Sequence, residues 1–567
     1  MPVVSAQVVL RVNPDASSGG DGQSWTTAYT GLHEALGQAA ALAANSIETT
    51  IWLRHGIYPT DGVGAPAPGT GRTIAFELST GVRLLGGFAG NESDESERNP
   101  EQHITILSGE IGNPATTSDN AYQVVRFIAP TGPVTRWAEL DGLTIQKGNA
   151  NATSGDNSTG GGVLTRFTLL TIRNCTFVQN SARQGGGIYS RNGELVIEDS
   201  RFISNTASTD GGAVYSQSEI QVRGSRFDSN TASFGGAILA CCRPIDVRQS
   251  SFEGNFASWG GAIHFPSGTP VLAELNGFNN SASRGGFLHT NTPVLGANLQ
   301  LGSNIANNGG AIYTSANLSL ANATLVRNSA FENGGAIHVA SGNLALQHVT
   351  AYDNQSLIFG GMVYAAFGSI TIDNSIVSQN SDNAGSTDAS QVYASALATR
   401  LVRSSILTDA TGVVPAIDVI EAAPLFVDPF GPDGILGTAD DDFSLQPTSP
   451  AILAANLALV PNDYANLSGN GDTSQPLPYD LLRNPRIITI PDMGAFEFVP
   501  SPLPCPGDIN GDGQVNINDF VILASNFGIT SGATAEQGDL NGDGTVNISD
   551  FVILASNFGN ICASQSP

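Results

Sequence analysis

Lysine is all but missing from this chain. Lys147 is the only one in 567 residues, and 23 Lys and Arg face 50 Asp and Glu, a formal net charge of −27. A basic face for nucleic acid is thereby excluded. So is a lysine-based phosphate loop, because Lys147 stands in no such motif. An anionic polysaccharide or membrane surface would be repelled unless calcium bridged the two. No apolar run is long enough to span a bilayer. No CxxC pair suggests zinc, and neither GxSxG nor HExxH occurs. Only five cysteines are present. Cys505 and Cys562 bracket a C-terminal segment, where a disulfide could clamp both ends in an oxidising compartment. Cys241 and Cys242 are adjacent, so a bond between them would be strained and rare. Cys175 lies in a strand pattern and reads as buried and inert.

Glycine is plentiful, at 66 residues, while 41% of residues are apolar, which points to a turn-rich β-protein rather than disorder. At 567 residues, more than one unit is expected. Gly-Gly pairs end at Gly161, Gly186, Gly212, Gly236, Gly261, Gly286, Gly310, Gly335 and Gly361, in steps of 24 to 26 residues. Two residues after each pair stands an aliphatic residue: Val163, Ile188, Val214, Ile238, Ile263, Leu288, Ile312, Ile337 and Val363. A second column reads Asn180, Asn205, Asn230, Asn255, Asn280, Asn304, Asn328, Asn354 and Asn380. Period-two strands precede these Asn, and Phe177, Phe202, Phe227 and Phe252 repeat in register. Strands that recur every 25 residues with no helix between them describe an all-β solenoid of parallel strands. Like residues then stack on like, and the Asn column reads as a ladder that satisfies its own amides.

Two further columns supply candidates for function. The residue before each Gly-Gly varies, and Asp210, Phe234, Trp259 and Arg284 occupy four successive coils. Flat rings beside a carboxylate and a guanidinium suit sugar rings. Three residues after the pair lies a column holding His264 and His289 as stacked neighbours, expected to face outward. Phe234, Trp259, His264 and His289 are therefore the expected glycan-binding residues.

The last sixty residues carry a duplicated twelve-residue loop, 508–519 and 539–550, each copy running into Asp-Phe-Val-Ile-Leu-Ala-Ser-Asn-Phe-Gly. Oxygen ligands fall at loop positions 1, 3, 5 and 12, with a backbone carbonyl at 7 and Gly at 6, the spacing of a calcium loop. The first loop offers Asp508, Asn510, Asp512, Gln514 through its carbonyl, Asn516 and Asp519. The second offers Asp539, Asn541, Asp543, Thr545 through its carbonyl, Asn547 and Asp550. Two calcium ions are expected. Asp433, Asp440, Asp441 and Asp442 form a further acidic, Gly-bearing loop, a third calcium site or a solvated turn.

The duplicated segment resembles a type I dockerin, with Asp at position 12 and one helix after each loop. That resemblance implies a cohesin-like partner bound through residues 505–562. Selectivity in such modules resides at loop positions 10, 11, 17 and 18. Here these are Ile517, Asn518, Ala524, Ser525 and Ile548, Ser549, Ala555, Ser556. Ile at position 10 departs from the polar pair common in cellulosomal dockerins. The motif Phe-x-x-Asn-x-Ala…Gly-Gly-Ala-Ile-Tyr resembles the polymorphic outer-membrane protein repeat, and the wider chain resembles secreted right-handed parallel β-helix proteins of the pectin-lyase-like fold. The right hand is implied by that resemblance alone. Residues 428–498 resemble the closing segment of the choice-of-anchor Q group, with the dockerin-like module in the anchor's place. The Gly-His-Gly and Arg-Ile-Lys signatures of polygalacturonase-like hydrolases are missing.

The organisation expected is a signal-peptide remnant (1–6) inside a longer secretory precursor, since Val4-Ser5-Ala6 before Gln7 has the small residues of a cleavage site. An N-terminal cap with first coils (7–150) follows, plugged by an amphipathic helix over 32–44. Regular repeats (151–395), a closing segment (396–498), a Pro-rich linker (499–504), the calcium module (505–562) and a tail (563–567) complete the chain. The expected protein is a secreted or cell-surface, bacterially exported β-helix with a monomeric body, which binds or organises polysaccharide. A lyase or glycoside hydrolase for polysaccharide catabolism is the alternative, with Asp210, Asp228, Glu253 and Arg284 as its candidate catalytic residues. A structural stalk or adhesin is a third.

Overall fold

A computed structural model describes residues 7–65, 71–132, 134–408, 415–499, 506–541 and 543–561. Cys505, Cys562 and residues 1–6 lie outside the described residues. The chain divides into two compact units, one ending at Glu497 and the other beginning at Phe498.

The 25-residue period is the circumference of one coil. The aliphatic column from Val163 to Val363 pairs rung on rung in parallel register. It runs beyond the visible repeat, to Phe76 and Val125 at one end and Val392 at the other. Every rung is buried, and each contributes roughly 1.5–3 kcal/mol. Phe177, Phe202, Phe227 and Phe252 stack with centroids 4.8 Å apart, the spacing of neighbouring strands. Gly277 takes the next place in that column, and the ring of Phe287 enters the space from the opposite wall.

Corners are made by residues in the left-handed region. Gln249, Glu274, Asn298, Asn322, His348 and Asn374 form one such column, at φ +47 to +58°. The Gly-Gly turn needs both glycines for different reasons. Gly260 has φ +63°, and a Cβ on Gly261 would lie 2.1 Å from the Gly286 carbonyl oxygen of the next coil. The Asn ladder is continuous. The backbone N–H and Nδ2 of Asn255 both donate to Asn280 Oδ1, at 3.0 and 2.9 Å, and Nδ2 donates again to Phe227 O at 2.9 Å. The same set recurs from Asn180 to Asn354, so each buried amide is satisfied by its neighbours.

Helix α1, Leu32–Ala43, buries Leu32, Ala35, Leu36 and Ala39 against the N-terminal end of the core. It packs on the first two strands, Gln7–Val12 and Glu48–Arg54, and covers an apolar end that would otherwise face water. A one-turn helix α2, Asp388–Gln391, interrupts the last regular coils.

The segment from Ser449 to Glu497 runs back along the left-handed corner. Asn456 N donates to Asn374 Oδ1 at 2.8 Å, Asn322 donates to Tyr479 O at 2.5 Å, and Tyr464 OH donates to Gly296 O at 2.9 Å. At its centre Arg486 is wholly buried. Its guanidinium donates to Glu497 Oε1 and Asn322 Oδ1, both at 2.6 Å, to Gly494 O at 3.1 Å and to His348 Nδ1 at 3.2 Å. Burial pushes the Glu497 carboxyl up to about 8 against the opposing pull of Arg486.

In the second unit, α3 (Ile517–Asn526) and α4 (Ile548–Asn557) each follow one loop. Val515, Leu523, Val546 and Leu554 form their small core, with Phe520 edge-on to Phe551 at 5.9 Å.

Candidate functional site

The two variable columns form one feature. The short arm before each Gly-Gly folds back over the strand that follows it, so one column covers the other. Trp259 lies 4.9 Å from His289, which stacks on Tyr313 at 5.1 Å, then His338 at 4.8 Å and Tyr364 at 4.9 Å. Phe234 closes one end against Trp259, edge-on at 5.1 Å. Phe359 and Tyr364 both meet Tyr393 at the other, at 4.5 and 5.6 Å. The exposed Arg284 guanidinium stands 5.3 Å from the ring centres of both Trp259 and Tyr313.

The outward expectation for the histidines needs correcting. His264 and His289 do point away from the aliphatic core, but Phe234 and Trp259 roof them, leaving 4% and 1% exposed. They line the floor of the ladder, and its surface is presented by Phe234, Trp259, Arg284, Tyr313, Tyr364, Phe359 and Tyr393. His264 Nδ1 lies 2.9 Å from His289 Nδ1 and 3.2 Å from His289 O. One hydrogen on His264 Nδ1 serves both acceptors, which leaves the His289 hydrogen on Nε2. Burial lowers both imidazoles, to about 4 for His264 and about 3 for His289, where His264 and Arg284 add to the effect. His338 is lowered by burial to about 4.

The four catalytic candidates are not gathered. Asp210 accepts from Gln184 Nε2 at 2.7 Å on the arm side. Arg284 is three coils further on, about 14 Å away at one strand spacing per coil. Asp228 and Glu253 are register neighbours on another wall, and both bind Arg226, at 2.6 and 2.9 Å. Their carboxylates are engaged in an ion-pair cluster, and they share no cleft with Asp210.

Tyr393 was not singled out in sequence, because the Gly-Gly pair is missing from its coil. A signal was present: Val392-Tyr393-Ala394 repeats Val363-Tyr364-Ala365, and the two segments pair residue for residue.

The two calcium-type loops are wound alike. Asp508 accepts from the N–H of Asp512 and Gly513 at 3.2 and 3.0 Å, and Asp539 from those of Asp543 and Gly544 at 3.2 and 2.7 Å. Asn510 and Asn541 each accept the N–H two residues on. Position 12 is fully buried in both copies, where Asp519 accepts from Ile509, Asn510 and Asn516, and Asp550 from Leu540, Asn541 and Asn547. The donors are all hard oxygens from carboxylate, amide and carbonyl groups, the chemistry that suits calcium. Asn516, Asn547, Gln514 and Thr545 belong to the same windings. Among the described residues no three acidic, imidazole or thiol side chains converge in the arrangement of a metal site. In the acidic loop near 433, Asp433 accepts from Ile435 N, Asp440 from Thr438 Oγ1, Asp441 from Gly437 N, and Asp442 from Ser444 N.

Residues 137–278 match the family model for the right handed beta helix region, and residues 506–559 match that for the dockerin type I domain. The body is a right-handed parallel β-helix. The crystal structure of pectate lyase Pel9A aligns over 88% of this chain and 98% of its own, with 13% identity and a TM-score of 0.36. No curated protein matches the chain. Among the described residues no helix is long and apolar enough to cross a membrane. The second unit thus carries a dockerin-type pair of loops and helices, C-terminal to the β-helix in sequence.

Proposed function

We propose that the β-helix binds polysaccharide along the aromatic ladder and is tethered by a calcium-loaded dockerin module to a cohesin-type partner. One observation carries the first half: across seven coils, about 29 Å at one strand spacing per coil, Phe234, Trp259, Tyr313, Phe359 with Tyr364, and Tyr393 keep rings partly exposed, while His289 and His338 are buried between them. That is a long, partly exposed aromatic ridge whose rings stack largely on one another, with Arg284 offering donors to sugar hydroxyls or carboxylates. Aromatic side chains beside a few polar groups are what sugar-binding surfaces present. The scattered carboxylates favour binding over hydrolysis.

Supporting the second half, α3 and α4 present the same exposed face. Ile517, Asn518, Val521, Ala524 and Ser525 are exposed on one, Ile548, Ser549, Val552, Ala555 and Ser556 on the other. Calcium would be held by Asp508, Asn510, Asp512, Asp519 and the Gln514 carbonyl in one loop. Asp539, Asn541, Asp543, Asp550 and the Thr545 carbonyl would hold it in the other. Bound calcium supplies charge neutralisation that fixes each loop against its helix. Extracellular or cell-surface placement is part of this reading.

The test is retention on a panel of immobilised polysaccharides, with and without calcium. Trp259→Ala is expected to weaken retention about 3- to 10-fold, the worth of one stacked ring, with the melting of the body followed alongside so that loss of the roof over His289 is not mistaken for loss of binding. Equal retention of wild type and Trp259→Ala on every glycan would reject the platform. Release of reducing ends or unsaturated products would instead favour an enzyme.

A further inference from the structure

We propose that Cys241 and Cys242 form a reversible vicinal disulfide, a redox site in the turn that leaves strand Ile238–Ala240. The two cysteines are free thiols in this structure, with Sγ atoms 2.7 Å apart, nearer than two unbonded sulfurs rest and longer than the about 2.05 Å of a disulfide. Cys242 has φ +77°, a left-handed turn conformation like that of the solenoid's other corner residues.

In three other coils a hydroxyl at the strand end holds this bend, while Phe265, Val339 and Ala365 at the same position have none. Ser218 N donates to Ser216 Oγ at 3.1 Å, Thr292 N to Thr290 Oγ1 at 3.2 Å, and Ala316 N to Thr314 Oγ1 at 3.0 Å. Ala240 occupies that position here, in register with Ser216, and has no hydroxyl. The sulfur pair stands in the bend instead. In the next coil the corresponding residue is Phe265, and Ser267 Oγ reaches across to Cys242 Sγ at 3.6 Å.

Access is one-sided. Cys242 is exposed and Cys241 is buried. A Cys242 thiolate can attack a low-molecular-weight disulfide, forming a mixed disulfide and expelling one small thiolate. Cys241 sulfur then attacks the Cys242 sulfur, loses its proton to solvent and expels the second. Two protein thiols are oxidised by two electrons, and the small disulfide is reduced to two thiols. Adjacent Cα atoms are about 3.8 Å apart, shorter than the usual disulfide span, so the ring is strained and easily reopened. That separates it from a structural crosslink. It lies two residues from Leu239, which packs with Tyr215 beside Phe234 at the end of the ladder.

The experiment uses the full chain, equilibrated in small-thiol and small-disulfide mixtures of increasing oxidising ratio. It is then quenched in acid, alkylated after denaturation, digested and weighed. The expected result is that the peptide holding residues 241 and 242 loses two hydrogens and both alkylation sites together. A dithiol should restore both. Cys175, fully buried, should stay alkylatable after denaturation throughout. A small thiol trapped on Cys242 with Cys241 still alkylatable, or both thiols free at every ratio, would overturn the proposal. Mapping by peptide keeps oxidation at Cys505 and Cys562 from being mistaken for it.

Discussion

His264 and His289 meet Nδ1 to Nδ1, an arrangement with one hydrogen for two nitrogens. A second proton there would place one imidazolium beneath Trp259, against the positive charge of Arg284. The unfolded chain takes up protons on these rings below about pH 6.5, whereas the folded chain does so only near 4 and 3. Between those limits the unfolded state binds more protons, so stability is complete above about pH 6.5 and is lost as pH falls through 4. For His264, the shift amounts to roughly 3 kcal/mol. Replacing both by Gln is expected to flatten the acid limb of stability in the body. Denaturant midpoints measured across that pH range check this. Parallel losses in wild type and variant would place the acid sensitivity elsewhere.

In the Asn ladder, removing one element of a stack orphans its neighbours. Asn255 Oδ1 accepts from both the N–H and Nδ2 of Asn230, at 3.0 Å each. Asn255→Ala strands buried donors, at roughly 1–3 kcal/mol apiece, so its unfolding midpoint should fall clearly. An exposed change such as Asn276→Ala should leave it unmoved. Arg486→Ala is the counterpart in the closing segment. It leaves Glu497, Asn322 Oδ1 and Gly494 O buried without their donor, at roughly 1–3 kcal/mol apiece, and Glu497→Gln added to it should recover part of the loss. These two elements also mark what was legible in sequence. The Asn and Gly-Gly columns repeat every 25 residues because like stacks on like, so the period itself gives the solenoid. The Arg486 site has no period. Its partners Asn322 and His348 lie 164 and 138 residues earlier, joined only when the chain doubles back. The burial of His264 was hidden for a related reason, since alternation along a strand says which side faces the core and nothing about an arm folded over the other side.

The whole molecule joins a long solenoid to a small unit with very different reserves. The β-helix shares one continuous apolar core from Leu10 to Leu407, and each coil rests on the next. Among its described residues the second unit has four fully buried apolar side chains, Val515, Leu523, Val546 and Leu554. So small a core is marginal alone, and domains of this size commonly depend on metals. Its loops also carry carboxylates that repel one another, within a chain of net charge −27. Calcium that binds only the folded unit adds about 2.7 kcal/mol at a hundred times its Kd. Chelation should therefore remove the cooperative unfolding of residues 506–561 and leave the strand signal and main transition of the body intact. Asp508→Ala with Asp539→Ala should reproduce that loss in the presence of calcium. Far-ultraviolet dichroism at the helical band, followed alongside calorimetry, separates the two units. A chelator that lowered the main β-helix transition would mean that the body holds calcium as well.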